Sequence, residues 1–257
     1  MDISQHFRRD EQEFIDQVLA WKEQVENSYI PKLTDFLDPR QQHIMETLIG
    51  KHEILRLHKH GGGPYTERKR MIIAPMYEPI DEADFELVLL QTTYSKKFIT
   101  LTHRDVMGAF LSLGVKRKKL GDIHAKDGVV QILIAKEIAS YVQINLTSIR
   151  QAKLKFETQP LSAFLGEEKH WKETECTVSS LRLDTVVKEI YKLSRKDAAN
   201  YVEKGLVKVN HKTVENPALL LQEGDLLSLR GKGRSKLVTI NGQTKKEKRR
   251  ITTAILK

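Results

Sequence analysis

Several features that define other protein classes are scarce or missing in this chain of 257 residues. It has a single cysteine, Cys176, so it can form neither an internal disulfide nor a cysteine-based metal knuckle, which fits a reducing compartment. No stretch approaches the ~18 uncharged apolar residues of a membrane helix, and the first residues contain no apolar signal-peptide region. We therefore expect a cytoplasmic protein without a membrane partner.

The motifs of common catalytic sites are also missing. No Gly-x-Ser-x-Gly nucleophile elbow accompanies the run His60-Gly61-Gly62-Gly63, so we interpret this run as a flexible turn and not as an oxyanion loop. A Walker-type phosphate loop and a dinucleotide fingerprint are missing as well. We expect no cofactor, no metal and no catalytic residue, and we interpret Cys176 as a strand residue.

Positive charge is abundant but unevenly placed. The chain has 43 Lys and Arg against 34 Asp and Glu, which gives a net charge of +9. Residues 232–257 hold nine of these cations and one acid, Glu247, so this segment carries +8 and the rest of the chain is nearly neutral. Such a concentration predicts a polyanionic partner, and we interpret residues 241–257 as a basic tail. The alternatives are a disordered solubilising tail and, less favoured because no apolar face flanks the cations, attachment to an anionic membrane.

The segment before this tail has the pattern of two short helices followed by a small sheet. Apolar residues recur at helical spacing from Val186 to Leu193, and Ser194 is the expected N-cap of a second helix that ends at Gly205. The alternation from Leu206 to Asn210, followed by turn residues, predicts a β-hairpin. Gly224-Asp225 predicts a tight turn before a further strand.

These same positions resemble the S4 domain, an RNA-binding module, through Arg182-Leu183-Asp184, Ser194-Arg195, Gly205 to Asn210 and Gly224-Asp225. The resemblance implies an S4 (αL-type) RNA-binding domain over residues 181–240, with its helix pair facing RNA. Two cations in the first turn of the second helix would complete a phosphate site, because the helix dipole already favours an anion there. For Asn210 a turn role competes with RNA contact. The predicted RNA-binding residues of this domain are Arg182, Arg195, Lys196, Lys204, Lys208, Asn210, Lys212, Arg230, Lys232 and Arg234.

The preceding part of the chain predicts an α+β fold. Residues 1–75 form a helical N-terminal region with short strands, the helices covering Gln12 to Tyr29 and Pro39 to Gly50. Residues 76–158 have the order β-α-β-β-α-β of an RRM-like or ferredoxin-like middle domain, with its last strand in Ser148 to Phe156. Residues 159–180 are interpreted as a linker or strand.

A second group of cations lies in this middle domain, between Gly114 and Gly121. Adjacent cations on a loop raise the local potential enough to capture a phosphate backbone, and the alternative is a solvated loop. Tyr94 and Phe98 stand alone, so we do not predict base stacking. The predicted RNA-binding residues of this loop are Lys116, Arg117, Lys118 and Lys119.

The order of the three parts, together with Leu33 to Arg40 and Leu113 to Ile123, resembles the YlmH family, S4-domain proteins of Gram-positive bacteria. This resemblance implies binding to the large ribosomal subunit near peptidyl-tRNA, with rRNA and tRNA as partners, in rescue or quality control of stalled translation. We expect a non-catalytic monomer.

Two alternatives from other classes remain. A pseudouridine synthase-like RNA-modifying enzyme would use an Arg-Leu-Asp motif, but Arg182-Leu183-Asp184-Thr185 lacks the following glycine and a downstream catalytic domain. A cell-division-associated protein-interaction factor would use the N-terminal amphipathic helices as its working surface. Resistance of its association to nuclease and high salt would distinguish such a factor from an RNA binder.

Overall fold

The chain divides into two compact units, one ending at Glu167 and the other starting at Glu168. The computed structural model describes residue 7 and residues 11–50, 52–244 and 246–256. The first unit buries its apolar residues in three clusters, which belong to the N-terminal region and the middle domain, and the second unit has its own core. Helices alternate with antiparallel sheets throughout, which confirms the predicted α+β class.

The N-terminal region consists of two helices packed on a small antiparallel sheet. Its elements are α1 (Gln12–Ser28), β1 (Lys32–Leu33), α2 (Pro39–Ile49), β2 (Leu55–His60) and β3 (Arg70–Pro75). The strand order is β1-β3-β2. Asp38 caps α2 by accepting from the backbone N–H groups of Arg40 and Gln41, each at 3.0 Å, so the chain enters this helix at Pro39 as predicted. The buried side chains include Val18, Val25, Met45, Ile49, Met71 and Ile73.

The middle domain has the predicted β-α-β-β-α-β order. Its main elements are β4 (Leu87–Thr93), α3 (His103–Ser112), β5 (Leu120–Lys126), β6 (Val129–Ala135), α4 (Ala139–Asn145), the ribbon β7 (Ser148–Ile149) and β8 (Ala152–Lys153), and β9 (Glu157–Gln159). The sheet order β5-β6-β4-β9, with every pair antiparallel, is that of a ferredoxin-like sheet.

The last strand of this sheet is not where the sequence predicted it. Residues 148–156 were expected to form it, but they form the two-stranded ribbon and the chain after it, and the sheet strand is β9. The reason is that Ile149, Leu154 and Phe156 are all buried in the core of the domain, a spacing that no single strand provides.

The glycine run after β2 forms a turn, as predicted, but this turn is closely packed and not an open surface loop. Gly62 has φ of +87°, and a Cβ there would lie 2.4 Å from Cδ2 of Leu133 in β6. A Cβ on Gly61 would lie 2.2 Å from Oγ1 of Thr66. Gly62 thus lets the loop backbone approach the middle-domain sheet closely, and Gly61 lets the loop close on itself.

The second unit is a six-stranded antiparallel sheet with two helices packed on one face. Its elements are β10 (Trp171–Val178), α5 (Leu183–Tyr191), α6 (Arg195–Glu203), β11 (Val207–Val209), β12 (Lys212–Val214), β13 (Leu226–Leu229), β14 (Gly233–Gln243) and β15 (Arg249–Leu256). The order is β10-β15-β14-β13-β11-β12. The core contains Leu183, Val186, Val187, Ala198 and Val202 from the helices and Val207, Leu227, Leu237 and Ile251 from the sheet.

The segment predicted as a basic tail is largely a β-hairpin, which corrects that expectation. β15 lies between β10 and β14 in the interior of the sheet, and Ile251 and Thr253 are buried there. The cations of the segment gather at the hairpin turn and the start of β15, whereas Ile251, Thr253 and Ile255 alternate with the period of a strand. Lys245 and Lys257 lie outside the described residues. The sheet also takes in β10, from the predicted linker, as an edge strand.

Candidate RNA-binding surface

The start of α6 displays two cations to solvent. Ser194 caps this helix, accepting from the backbone N–H of Asp197 at 3.0 Å, and Gly205 follows its end with φ of +64°, both as predicted. Arg195 and Lys196 are exposed in the first turn, and neither forms an ion pair with any residue in the described ranges. The helix dipole and the first backbone N–H groups add positive potential at this point.

The turn between β13 and β14 brings further cations beside the helix pair. The Tyr191 hydroxyl, at the end of α5, donates to the carbonyl oxygen of Gly233 at 3.2 Å and lies 3.0 Å from Oγ of Ser235. Burial raises the pKa of Tyr191, so this hydroxyl stays protonated. The backbone N–H of Arg230 donates to the Leu206 carbonyl just after α6.

The turn and the start of β14 therefore contact the end of α5 and the chain that follows α6. We call the cations at the start of α6 and around this turn the basic corner, and it consists of Arg195, Lys196, Arg230, Lys232 and Arg234.

The face of the sheet opposite the helices carries a second row of polar and basic residues. Lys208 in β11 is exposed between the buried Val207 and Val209, and it lies across from Ser228, which in turn lies across from Arg234. Arg234 therefore joins this row to the basic corner. One step along β14, the Lys236 Nζ lies 4.8 Å from the centroid of the Trp171 ring, a cation–π contact.

Trp171 and Lys236 were missed as candidate site residues in the sequence analysis. The alternation of Arg234 and Lys236 with the buried Ser235 and Leu237 was the available signal for Lys236. Nothing local marks Trp171, because β10 reaches this face only through its pairing with β15.

Two predicted RNA-binding residues have internal roles. Asn210 holds the turn after β11: its Nδ2 donates to Oδ1 of Asp225 at 2.8 Å, and its Oδ1 accepts from the N–H of Leu226 at 2.9 Å. Arg182 donates to both carboxylate oxygens of Asp184, at 2.9 and 3.1 Å. Burial would raise the pKa of Asp184, but the hydrogen bond and charge of Arg182 hold it below its usual value.

The remaining two predicted residues of this unit are also exposed. Lys204 is the C-cap of α6, at the end of the helix opposite Arg195 and two residues before Leu206, whose carbonyl accepts from the N–H of Arg230. Lys212 begins the edge strand β12.

The loop from Lys116 to Lys119, predicted to capture a phosphate backbone, uses most of its charge within the molecule. Lys118 forms an ion pair with Asp35 at 2.9 Å, and Lys119 contacts both Asp35 and Glu137. Arg117 donates to the carbonyl oxygen of Leu120. Only Lys116 is exposed without an ion-pair partner among the described residues.

The environment of Arg117 differs from that of a surface cation. Burial, together with the neighbouring positive charge of Arg68, lowers the pKa of Arg117 to about 10. Arg68 itself donates to the Leu120 carbonyl at 3.1 Å and to the Phe36 carbonyl at 2.8 Å. Arg68 and the backbone N–H of Phe36, which donates to the Lys118 carbonyl, thus join the loop to the N-terminal region.

Comparison with known proteins agrees with this division of the chain. Three family models match in succession: "YlmH, N-terminal" over residues 10–78, "Putative RNA-binding domain in YlmH" over residues 80–163 and "S4 domain" over residues 181–227. The fold and the exposed cations of the second unit thus define an S4-domain RNA-binding protein. The hairpin of β14 and β15 lies beyond the part that the S4 model matches.

A named relative matches almost the whole chain. It is the ribosome-associated protein quality control protein P2 of Bacillus subtilis (strain 168), 43% identical over 251 residues, which are 98% of this chain and 97% of the relative. The chain belongs to the YlmH family. A solved structure described as cell division protein ylmH from Streptococcus pneumoniae is 32% identical with a TM-score of 0.54, and the match covers 62% of this chain and 97% of that one.

Two further observations concern the helices and the single cysteine. In the ranges that the structure describes, no helix has the length and apolar character needed to cross a bilayer. Cys176 lies in β10 as predicted, and burial raises the pKa of its thiol, whereas a nucleophilic cysteine requires a lowered one.

Proposed function

We propose that this protein binds structured rRNA on the large ribosomal subunit, together with tRNA held there, as a non-catalytic monomer in rescue or quality control of stalled ribosomes. The observation that carries the proposal is the basic corner, where Arg195, Lys196, Arg230 and Lys232 are exposed and form no ion pairs in the described part of the chain. The name of the Bacillus subtilis relative supports the ribosome as the place where this surface acts.

The chemistry of the corner favours recognition of RNA shape over RNA sequence. Cations at a helix start and on a turn contact phosphates, which position a protein on RNA without reading its bases. The row from Lys208 through Ser228 to Arg234 extends the cationic surface around the edge of the domain. Trp171 adds an aromatic ring, but Lys236 covers it, so we assign it a supporting role in placing that cation.

Cosedimentation with purified large ribosomal subunits tests the proposal. The double variant Arg195→Ala/Lys196→Ala should leave the large-subunit fraction, because it removes two phosphate contacts and the anion site at the start of α6. Lys116→Ala is the matched control, since it removes an exposed cation from the first unit. Unchanged sedimentation of the double variant would contradict the assignment of RNA binding to the basic corner. An equal loss of sedimentation in the folded Lys116→Ala control would contradict it as well.

Point variants are preferable to truncation in this test. A chain ending after Arg230 would lack β14 and β15, and β15 pairs with both β10 and β14. Loss of these strands would expose the core of the second unit, so reduced sedimentation of such a chain would report unfolding.

The pseudouridine synthase alternative is weakened by the position of its key carboxylate. Asp184 is only 3% exposed, and its oxygens accept from Arg182 and Thr185. A carboxylate that attacks or positions a flipped base must reach the substrate, and this one is enclosed at the start of α5. Incubation of the protein with rRNA followed by mapping of modified uridines should give no new pseudouridine.

The name of the pneumococcal structure keeps cell division as a second candidate. An RNA-bound protein should lose its partner steeply as salt rises and after nuclease treatment, whereas a division factor held by a protein interface should lose little. We expect the second unit of this protein to lose its partner as salt rises and after nuclease treatment.

A further inference from the structure

The face of the middle-domain sheet that lies away from α3 and α4 is covered by other residues of the first unit. Gln131 in β6 is fully buried there: its Nε2 donates to the Ala163 carbonyl at 2.8 Å, and its Oε1 accepts from the N–H of Leu165 at 2.7 Å. The glycine loop covers Leu133, two residues along the same strand. RNA-binding domains with a four-stranded sheet stack bases on this face. In this protein the face is therefore closed to RNA.

An exposed aromatic ring stands instead at the end of this sheet. Phe98, in the loop between β4 and α3, is 82% exposed, the highest value among the exposed large apolar residues of the described ranges. Both sides of the loop are tied to the domain. The N–H of the buried Leu101 donates to the Tyr94 hydroxyl at 3.0 Å, and the N–H of Tyr94 donates to the Gly128 carbonyl at 2.9 Å. The ring is thus presented to solvent by an anchored turn.

The loop that carries this ring is positively charged. Residues 94–104 contain three cations and no Asp or Glu. The Nζ of Lys97 lies 5.7 Å from the centroid of the Phe98 ring, a cation–π contact that leaves most of the ring open. Trp171 differs, because it is only partly exposed and Lys236 lies closer to its ring.

The acids near this end of the domain do not cancel the charge of the loop. Four of them each form an ion pair with a basic residue of the same unit. Lys97 and Arg104 remain exposed and form no ion pair with any residue in the described ranges. The loop and the start of α3 therefore keep a surplus of positive charge. The four pairs are Lys96–Asp127, Lys126–Glu167, Arg150–Asp105 and Lys155–Glu157.

We propose that Phe98 stacks against an unpaired base of the bound RNA while Lys97 contacts a neighbouring phosphate. An exposed ring bordered by cations is the arrangement that proteins use to bind single-stranded nucleic acid. The inference rests on the proposed function, since it gives the RNA-bound protein a second contact, on its first unit.

The small apolar area around Phe98 favours a base over a protein partner. A stable protein interface buries about 800 Å² on each side around an apolar centre. In this loop the residue before the ring is a lysine, and Ile99, which follows it, packs against the core of the domain. One isolated ring matches the area of one base, and the lysine beside it matches the charge of the phosphate chain.

Binding of a short oligoadenylate that contains a fluorescent adenine analogue tests this contact on the full-length chain. Phe98→Leu keeps an apolar side chain without a ring, so it should weaken binding about fivefold or more and reduce the stacking-dependent quenching of the analogue. Phe98→Tyr keeps the ring and should behave as the wild type. The matched control is Tyr77→Leu, which removes a tyrosine that is 72% exposed and is followed by Glu78, and it should change nothing.

The salt dependence of binding separates the ring from the lysine. Phe98→Leu removes no phosphate contact, so the slope of log affinity against log salt should stay unchanged. Lys97→Ala should reduce that slope by about 0.7. Equal weakening in Phe98→Tyr or in the Tyr77→Leu control would overturn the stacking contact.

A fully paired rRNA hairpin distinguishes failure of this inference from failure of the proposed function. Phe98→Leu should bind the hairpin as the wild type does, because the hairpin offers the ring no unpaired base in its stem. Oligoadenylate binding indifferent to Phe98→Leu, with hairpin binding intact, would overturn the stacking contact alone. Hairpin binding indifferent to loss of the basic corner would overturn the proposed function instead.

Photocrosslinking in the native host identifies the class of partner at this ring. Azidophenylalanine in place of Phe98 should give an adduct that contains RNA and is removed by ribonuclease. A protein adduct that resists ribonuclease, in place of the RNA adduct, would overturn the proposal.

Discussion

Two groups of neighbouring cations in this protein have opposite structural roles. The loop from Lys116 to Lys119 concentrates four cations in sequence, yet three of them contact carboxylates or carbonyl groups of the same unit. The basic corner draws its cations from α6 and from a turn 35 residues later, and most of them face solvent without ion pairs in the described ranges. The difference shows that charge density along a sequence does not measure charge available to a partner.

The loop has this internal role because its acids come from distant elements. Asp35 lies in the segment between β1 and α2, so it reaches the loop only after the N-terminal region packs on the middle domain, whereas Glu137 follows β6 in the middle domain itself. Lys118 and Lys119 then neutralise acids that would otherwise repel each other across this contact. We infer that the loop primarily stabilises the first unit.

The largest expected effect is on RNA affinity, when four cations of the basic corner are replaced by alanine. The fourfold variant Arg195→Ala/Lys196→Ala/Arg230→Ala/Lys232→Ala should bind a structured rRNA hairpin on the order of 10²-fold more weakly at low salt, since several phosphate contacts are lost. Fluorescence anisotropy measures this affinity. The matched variant Lys116→Ala/Lys118→Ala should change it less than about threefold, and equal losses in the two variants would remove the distinction between the groups.

The next largest effect is on the stability of the second unit, when Asn210 is replaced. Asn210→Ala should lower the free energy of unfolding of this unit by about 2 kcal/mol, because the buried Asp225 loses one hydrogen-bond donor and the N–H of Leu226 loses its acceptor. Urea denaturation followed by circular dichroism gives this quantity. RNA affinity measured well below the transition should stay within about twofold of the wild-type value, and a large loss of affinity in a fully folded sample would restore Asn210 to the RNA surface.

A smaller effect on stability is expected from changing Asp35, the carboxylate that pairs with Lys118 and Lys119. Asp35→Asn should destabilise the first unit by about 1 kcal/mol, since its ion pairs with Lys118 and Lys119 are partly open to solvent. The freed lysines should at the same time raise RNA affinity slightly. No change in stability would show that Arg68 and the backbone hydrogen bond from Phe36 to Lys118 hold the loop without these ion pairs.

The pH dependence of that destabilisation follows from the pKa of Asp35. Burial would raise this pKa, but hydrogen bonds from Lys119 and Lys118 bring it below its usual value. A carboxyl whose pKa is lower in the folded than in the unfolded state stabilises the fold above the unfolded value of about 3.9 and loses this contribution as pH falls through the folded value. The stability difference between wild type and Asp35→Asn should therefore be constant from pH 8 to pH 5 and shrink below about pH 4.

Local signals in the sequence were sufficient to place several parts of the fold. Ser194 and Gly205 bound α6, Asp38 and Pro39 start α2, and the turn at Asn210 lies between β11 and β12, as predicted. Each of these features depends on the chemistry of a few adjacent residues. The β-α-β-β-α-β order was also recognisable from the alternation of apolar patterns.

Non-local contacts explain what the sequence did not reveal. The cations of residues 245–250 led to the prediction of a tail. The alternation of Ile251, Thr253 and Ile255 instead belongs to β15, which pairs with β10 and with β14. The internal pairing of Lys119 depends on Asp35, 84 residues away.

The salt dependence of RNA binding tests the central claim most directly. Affinities of the wild type, the fourfold corner variant and the Lys116→Ala/Lys118→Ala variant for one rRNA hairpin are measured over a range of salt concentrations, and log affinity is plotted against log salt. Each lost phosphate contact should reduce the slope by about 0.7 to 0.9, so the corner variant should lose about 3 units of slope and the loop variant less than about 1. Equal slopes for the wild type and the corner variant, or a larger loss in the loop variant, would contradict the assignment of RNA binding to the basic corner.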